Sequence, residues 1–161
     1  MRSDVAFPIE IGPAGFDDLP ALQKLLGELF TQEHDFKPDA EKQARGLRLI
    51  LDDPRRGQIF VARQKGKVIA MANLLITIST AEGGLVALLE DVIVAQSSRG
   101  HGIGRQLLDY VLQWCWQHGL LRITLLTDHD NLSAIAFYER AGFTRSSMIV
   151  LRCWPGAASG S

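Results

Sequence analysis

Apolar and polar positions recur with two different periods along the chain, and the first fifty residues predict one strand and one helix before a polar loop. Val5 to Ile11 is a short apolar-rich stretch that ends at Gly12-Pro13, as expected of a strand closed by a turn. Asp17 or Asp18 then serves as the N-terminal cap of a helix. The apolar stripe of this helix has helical spacing and consists of Leu19, Leu22, Leu25, Leu26 and Leu29.

The polar loop and the segment after it predict a second helix and a hairpin. Thr31 to Pro38 shows no regular period, and Asp39 then caps a helix that ends before the next proline. The period changes to that of strands over Ile59 to Ala62 and Val68 to Ser79. Gln64-Lys65-Gly66 separates these two runs, which is typical of a β-hairpin.

The remaining pattern alternates between strands and helices and ends in extended structure. It predicts a fourth strand over Gly84 to Val94, a helix over Gly102 to His118, a short strand over Ile123 to Thr127, a last helix from its cap Asn131 through Ala141, and a final strand pair over Phe143 to Leu151.

This order of elements predicts a mixed α+β fold rather than a regular alternation of parallel strands and helices. The length of 161 residues fits one compact domain, residues 1–161, and we expect residues 155–161 to be a disordered tail.

Composition narrows the function classes. The net charge of -1, from 17 basic and 18 acidic side chains, disfavours a generic nucleic-acid binder. Cys115 and Cys153 are the two cysteines, and neither they nor the four histidines have the spacing of a disulfide framework or a metal site. No run approaches the ~18 apolar residues that span a bilayer. We therefore expect a cytoplasmic protein that has a small-molecule or protein partner and no metal, nucleic acid or membrane.

A glycine-rich turn joins the fourth predicted strand to the helix after it. Ser98-Arg-Gly-His-Gly-Ile-Gly-Arg105 places glycines where unpaired N–H groups of a first helical turn can receive a phosphate. Arg105 stands where a G-x-G-x-x-G motif needs its third glycine, and no Gly-Lys-Ser/Thr follows, which disfavours dinucleotide and P-loop sites. From these residues alone, a tight turn without a ligand remains the alternative.

Two ordered motifs resemble those of a known family. Arg99-x-x-Gly102-x-Gly104 is similar to motif A of the GCN5-related N-acetyltransferase (GNAT) family, and the run from Asn131 to Phe143 resembles its motif B, with an asparagine, an aromatic pair and a terminal Gly-Phe. The resemblance implies a mixed, mostly antiparallel sheet of about 6–7 strands flanked by about 4 helices, with a splayed strand pair that forms the CoA cleft. It also implies acetyl-CoA as co-substrate, and it leaves a homodimer open.

The resemblance further implies which residues hold the cofactor. The turn supplies backbone donors to the CoA pyrophosphate, and the strand end before it pairs with the pantetheine arm, whose amides satisfy splayed backbone groups. Asn131 lines the other lip of the cleft, in addition to capping its helix. The implied set is Val92, Ile93, Val94, Arg99, Gly100, His101, Gly102, Ile103, Gly104, Arg105, Asn131 and Tyr138.

Tyr138 is the candidate general acid, because the matching tyrosine of the family lies near the thioester sulfur. A phenol with a reference pKa of ~10 stays protonated at pH 7 and can donate to a departing thiolate. A buried ring that only packs beside Phe137 is the alternative.

The attacking amine must lose a proton, since a lysine-like amine has a reference pKa of ~10.4. Strand alternation puts Glu90 on the same face as Val92 and Val94, opposite Asp91, and favours Glu90 as the base. Asp91, a base acting through water, and a merely solvated carboxylate all remain open.

The loop between the first two helices is acidic, and family members build the acceptor pocket there. Glu33, His34 and Asp35 are therefore the predicted substrate-binding residues, toward a cationic amine. The whole pattern predicts an acetyltransferase that moves the acetyl group of acetyl-CoA to a primary amine by direct attack through a tetrahedral intermediate. The alternatives are an acetyl-CoA sensor or interaction module without turnover, and a transferase for another acyl group or an oxygen acceptor.

Overall fold

The computed structural model describes residues 7–32 and 39–156. Residues up to 128 form one compact unit and residues from 129 a second, and each is described by itself. The helices and strands of the described residues are β1 (Ile9–Pro13), α1 (Leu19–Gln32), α2 (Ala40–Asp52), β2 (Gly57–Gln64), β3 (Lys67–Ser79), β4 (Gly84–Val94), α3 (Ile103–Gln117), β5 (Ile123–Leu125) and α4 (Leu132–Arg140).

The first unit is built on one sheet with strand order β1-β2-β3-β4-β5. The first four strands pair with one another in antiparallel fashion, whereas β5 runs parallel to β4. The predicted hairpin is confirmed: Lys65 and Gly66 both have positive φ, at 52° and 75°, which matches the right-handed twist of the strands they join. The fourth predicted strand, Gly84–Val94, is also confirmed, with its predicted bounds.

The core occupies both faces of this sheet. Leucines of α1 and α2 pack with Ile59 and Met71 on one face. Phe60 points to the opposite face, because successive strand residues alternate, and packs edge-on against Tyr110 and Trp114 of α3. The helices are therefore held on the two faces of the strands that lead into the glycine-rich turn.

One predicted boundary near the N-terminus is wrong, and the Asp18 side chain has other partners than those of the predicted helix cap. Gly12-Pro13 does not close the first strand: both residues belong to β1 and pair with β2. Proline is tolerated there because β1 is an edge strand. Asp18 ends a 3₁₀ turn before α1, where its carboxylate accepts from the Gly15 N–H at 2.9 Å and from the Arg63 guanidinium at 2.7 Å. Residues 5 and 6 of the predicted strand lie outside the described residues.

The second unit carries α4 and corrects the predicted C-terminus. Asn131 caps α4 as predicted, but no strand forms over Phe143 to Leu151. Met148, Ile149 and Leu151 are more than three-quarters exposed, so this apolar run is not packed as a buried strand would be. A strand needs a neighbouring ladder, which a pattern alone does not supply.

The mixed α+β class with four α-helices and a mostly antiparallel sheet is confirmed for the described residues, with five strands instead of about 6–7. Of the predicted tail, residues 157–161 lie outside the described ranges. No helix in the described ranges is long and apolar enough to cross a membrane.

Candidate active site

Strand β4 runs past the end of its neighbour β5. The two strands pair only where Ala87 to Leu89 face Ile123 to Leu125. Residues 90–94 of β4 still pair with β3 on one side, but on the other side β5 does not extend to them. The edge of β4 is therefore open just before the glycine-rich turn, which is the geometry that a cleft between splayed strands requires.

Val94 directs its main-chain groups to this open side. It faces Ala70 on β3, and the next amide, of Ala95, donates to the Ile69 carbonyl at 2.8 Å. Because backbone groups alternate in an antiparallel ladder, the N–H and C=O of Val94 point away from β3. The side chain of Arg99 donates from Nε to the Val94 carbonyl at 3.0 Å.

The turn after β4 leaves room above its glycines. Gly100 and Gly102 have φ of 81° and 76°, a left-handed conformation that disfavours other residues. A Cβ built on either glycine meets no atom within 4 Å. Helix α3 begins at Ile103, and its first-turn N–H groups precede the helical hydrogen bonds. Open space, adjacent N–H donors and a helix N-terminus fit a diphosphate.

The side chains of His101 and Arg105 in the turn are on the surface. His101 lies with Nδ1 3.3 Å from the Ser98 carbonyl, and Arg105 forms an ion pair with Asp109 at 2.8 Å. Ile103 is buried, so its main-chain N–H is the group that can reach a ligand. Ile93 lies in the core against Met71, and its predicted contact with the cofactor stays a prediction.

A β-bulge in β4 makes the predicted alternation at the carboxylates wrong. Asn73 faces Glu90 and Met71 faces Ile93, so two residues of β4 stand opposite one residue of β3. Because the extra residue shifts the alternation of side chains by one position, Glu90 lies on the same face of the sheet as Ile93. It does not share the face of Val92 and Val94, as strict alternation had predicted. Asp91 sits in the bulge with φ of 51°.

Asp91 and Asn73 form a close polar pair within an otherwise apolar part of the sheet. The Asn73 Nδ2 donates to the Asp91 Oδ2 at 2.7 Å. Burial raises the pKa of Asp91, and the hydrogen bond from Asn73 opposes that rise. Glu90 is exposed. Sequence reasoning missed Asn73, although a lone amide inside the apolar run of β3 was the available signal.

The other two predicted site residues lie in the second unit. The Asn131 Oδ1 accepts from the Ala134 N–H at 3.2 Å, so its capping role is confirmed. The half-buried ring of Tyr138 lies edge-on to Phe137 and Phe143, with centroids 5.2 and 5.7 Å away. Burial raises the pKa of Tyr138, which keeps the phenol protonated at neutral pH.

The remaining predictions concern the acceptor loop, Cys115 and metal binding. Glu33, His34 and Asp35 lie outside the described residues. Burial raises the pKa of Cys115 to about 12, so this thiol is no nucleophile. The described residues contain no group of three or more potential metal ligands.

Comparison with known proteins agrees with this fold. Residues 19–143 match the family model of the Acetyltransferase (GNAT) family. An uncharacterized N-acetyltransferase, YhfO of Bacillus subtilis (strain 168), is 27% identical over 131 residues, which cover 80% of this chain and 87% of the relative. The aminoalkylphosphonate N-acetyltransferase of Salmonella typhimurium is 26% identical over 145 residues, or 90% of this chain and 91% of the relative.

A solved structure shows the same architecture. The crystal structure of a possible acetyltransferase from Clostridium difficile 630 superposes with a TM-score of 0.83 at 24% identity, over 91% of this chain and 97% of that one. Family membership carries acetyl-CoA as co-substrate. The chain belongs to the Acetyltransferase (GNAT) family and is an acyl-CoA-dependent acetyltransferase.

Proposed function

We propose that this acetyltransferase transfers the acetyl group of acetyl-CoA to a primary amine by direct attack, without a covalent enzyme intermediate. The observation that carries the proposal is the open edge of β4, which runs past β5 into a turn with space above Gly100 and Gly102. Main-chain groups along this edge and the open space above the glycines suit the two polar parts of CoA, the pantetheine amides and the pyrophosphate.

Different residues of this chain would bind the cofactor, stabilise the transition state and transfer protons. Main-chain N–H groups of Gly102 to Arg105 would hold the pyrophosphate, and the Val94 main chain would pair with the pantetheine arm. A backbone N–H near Val94 would steady the carbonyl oxygen as negative charge develops on it. The Tyr138 phenol would protonate the sulfur, and a carboxylate of the Glu90-Asp91 pair would take the proton of the amine.

The acceptor class follows from chemistry and from one relative. The predicted acidic loop, Glu33 to Asp35, favours a cationic amine. An aminoalkylphosphonate is the acceptor named for the Salmonella typhimurium relative, so such compounds belong in the first panel of substrates beside polyamines, aminoglycosides and lysine peptides.

Release of free CoA thiol tests the proposal. With acetyl-CoA and each amine of the panel, we expect at least one acceptor to raise thiol release well above hydrolysis, with the acetylated amine seen by mass spectrometry. A protein that binds CoA in a calorimetric titration but turns over no amine would be a sensor or interaction module. Competition with longer acyl-CoAs and with alcohols distinguishes a different donor or an oxygen acceptor.

A further inference from the structure

Asp91 has an unusual backbone for a residue inside a strand. Its φ of 51° lies in the left-handed region, which L residues other than glycine rarely adopt. It occupies the bulge of β4, next to the edge that β5 leaves open. A strained residue persists only when its surroundings hold it, and such residues concentrate at functional sites.

The surroundings that hold Asp91 include a buried amide. Asn73 is 3% exposed, and it and Ser79 are the buried polar residues of the described chain. Its Nδ2 donates to Asp91, while its Oδ1 is buried without a hydrogen-bond partner among the described residues. A buried acceptor without a partner is costly, and an apolar residue of the same size would avoid that cost. Packing therefore does not explain why an amide stands here.

We propose that Asn73 is a positioning residue that allows Asp91 to act as the base toward the acceptor amine; the inference rests on the proposed function. An asparagine carries both donors and an acceptor on one amide. Its Nδ2 supports the ionised carboxylate. After Asp91 takes up a proton, rotation of the amide presents Oδ1 to the new O–H, so that one side chain serves both charge states.

The proton step balances without any further reagent. An N–H bond of the substrate ammonium breaks as an O–H bond forms on Asp91, and the freed lone pair attacks the thioester carbon. The C–S bond then breaks, and the nitrogen loses a second proton. One of the two protons ends on the sulfur, and the other passes to water.

Burial is the larger influence on the Asp91 pKa, with the Asn73 hydrogen bond opposing it. Glu90, which precedes Asp91 in the sequence, is exposed and is the competing base. The charged side chains on the helices and strands packed against β4 are Lys24 and Glu28 of α1, Lys67 of β3, and Arg105 and Asp109 of α3.

The test compares Asn73→Leu with the wild type over a range of pH. Without the donor, the ionised carboxylate loses support and the pKa of Asp91 rises further, so the acid limb of kcat/KM should move to higher pH. Each unit of that movement lowers kcat/KM about tenfold at a pH well below the limb. Asn73→Asp, of the same shape, should also move the limb upward because two carboxyls then share one proton. If Asn73→Leu does not fold, Asn73→Asp alone provides the test.

The matched control is Ser79→Ala, at the far end of the same strand, where the hydroxyl accepts from the Glu82 N–H at 3.1 Å. It should leave the acid limb in place. An equal loss of kcat/KM at every pH in both Asn73 variants would make Asn73 merely structural and overturn the proposal. A wild-type limb that persists in Asp91→Asn would assign the base to another group, such as Glu90.

A readout without turnover separates this inference from the proposed function. The carboxyl carbon of Asp91, assigned in NMR spectra by its loss in Asp91→Asn, should titrate at higher pH in Asn73→Leu than in the wild type. If no amine is acetylated while this shift appears, the proposed function fails and the Asn73–Asp91 coupling stands. If the Asp91 titration is the same in both proteins, the coupling fails whatever the activity.

Discussion

The Nε of Arg99 donates to the main-chain carbonyl of Val94 at 3.0 Å and so ties the start of the glycine-rich turn back to the end of β4. Strand and turn are thereby fixed relative to each other at the place where the proposed site needs both. One side chain satisfies a carbonyl that β5 does not reach.

Replacing Arg99 should therefore weaken CoA binding. We expect Arg99→Gln to raise the Kd for CoA by about 3–30-fold, since both the tie and a cation near the phosphates are lost. Arg99→Lys keeps the cation but not the planar guanidinium, and should retain the salt dependence of binding while losing part of the affinity. Calorimetric titration at two salt concentrations measures both effects, and unchanged affinity in Arg99→Gln would contradict the role of Arg99.

Gly102 allows a substitution with a matched control on the same helix. Gly102 lies before α3 and Gly119 after it, with φ of 76° and 72°, and a Cβ added at either glycine would meet no atom within 4 Å. Alanine at either position costs about 1 kcal/mol of backbone strain. Only Gly102→Ala should also lose CoA affinity, by about tenfold or more, because its methyl group enters the proposed pyrophosphate site. Equal affinity in the two variants would place the pyrophosphate elsewhere.

Tyr138→Phe should lower kcat by about 10–10³-fold with little change in CoA affinity, because only the donated proton is lost. The raised pKa of Tyr138 means that its donor form persists to alkaline pH, so the wild-type rate should not fall between neutrality and ~10 through this group. Tyr110→Phe is the control, since that ring packs against Phe60 in the core. Equal rates in wild type and Tyr138→Phe would remove the tyrosine from the mechanism.

Sequence predicted the elements that depend on local signals. Asp39 and Asn131 each cap the predicted helix with their own side chain, and Lys65-Gly66 can adopt the hairpin turn without help from distant residues. The glycine-rich turn is likewise local, since its conformation depends on its own glycines, and the amino-acid pattern alone therefore predicts it.

What sequence could not predict depends on partners far along the chain. The bulge at Asp91 arises in pairing with β3, where Asn73 approaches its carboxylate, and strict alternation misassigned the faces of β4 as a result. The run Phe143 to Leu151 has the composition of a strand, yet no ladder forms along it. In both cases the structure depends on strand pairing and on burial. The alternation of apolar and polar residues along a strand predicts neither of them.

The ion pair of Asp18 and Arg63 should stabilise the fold measurably. The Asp18 side chain is 12% exposed and makes two 2.7 Å hydrogen bonds with the guanidinium, which holds its pKa below the usual 3.8. Arg63→Gln should lower the free energy of unfolding at neutral pH by about 1–3 kcal/mol, because a mostly buried carboxylate loses its partner.

The pH dependence of this loss has a definite sign. A lowered native pKa contributes stability that is fully present above the unfolded pKa of 3.8 and is lost as pH falls through the native pKa. The difference between wild type and Arg63→Gln should therefore shrink as pH falls below about 4. Arg55→Gln, which breaks an exposed ion pair with Asp53, is the control and should show no measurable change. Urea unfolding between about pH 3 and 7 measures both, and a pH-independent difference would rule out the ion pair as the cause.

Asp91 should show the opposite dependence, because its native pKa is raised. From the unfolded value of 3.8 up to the native value, the folded protein binds more protons than the unfolded chain, so stability falls as pH rises through this window. Asp91→Asn removes the titration while keeping an acceptor for Asn73. It should be more stable than wild type at neutral pH by about 0.5–2 kcal/mol, with the difference vanishing near about pH 3. The same variant should lose acetyl transfer, as a stability–activity trade-off at a working carboxylate requires. Unfolding curves and thiol release on one preparation measure both effects, and a variant that is less stable at neutral pH would show that the buried charge of Asp91 supports the fold rather than straining it.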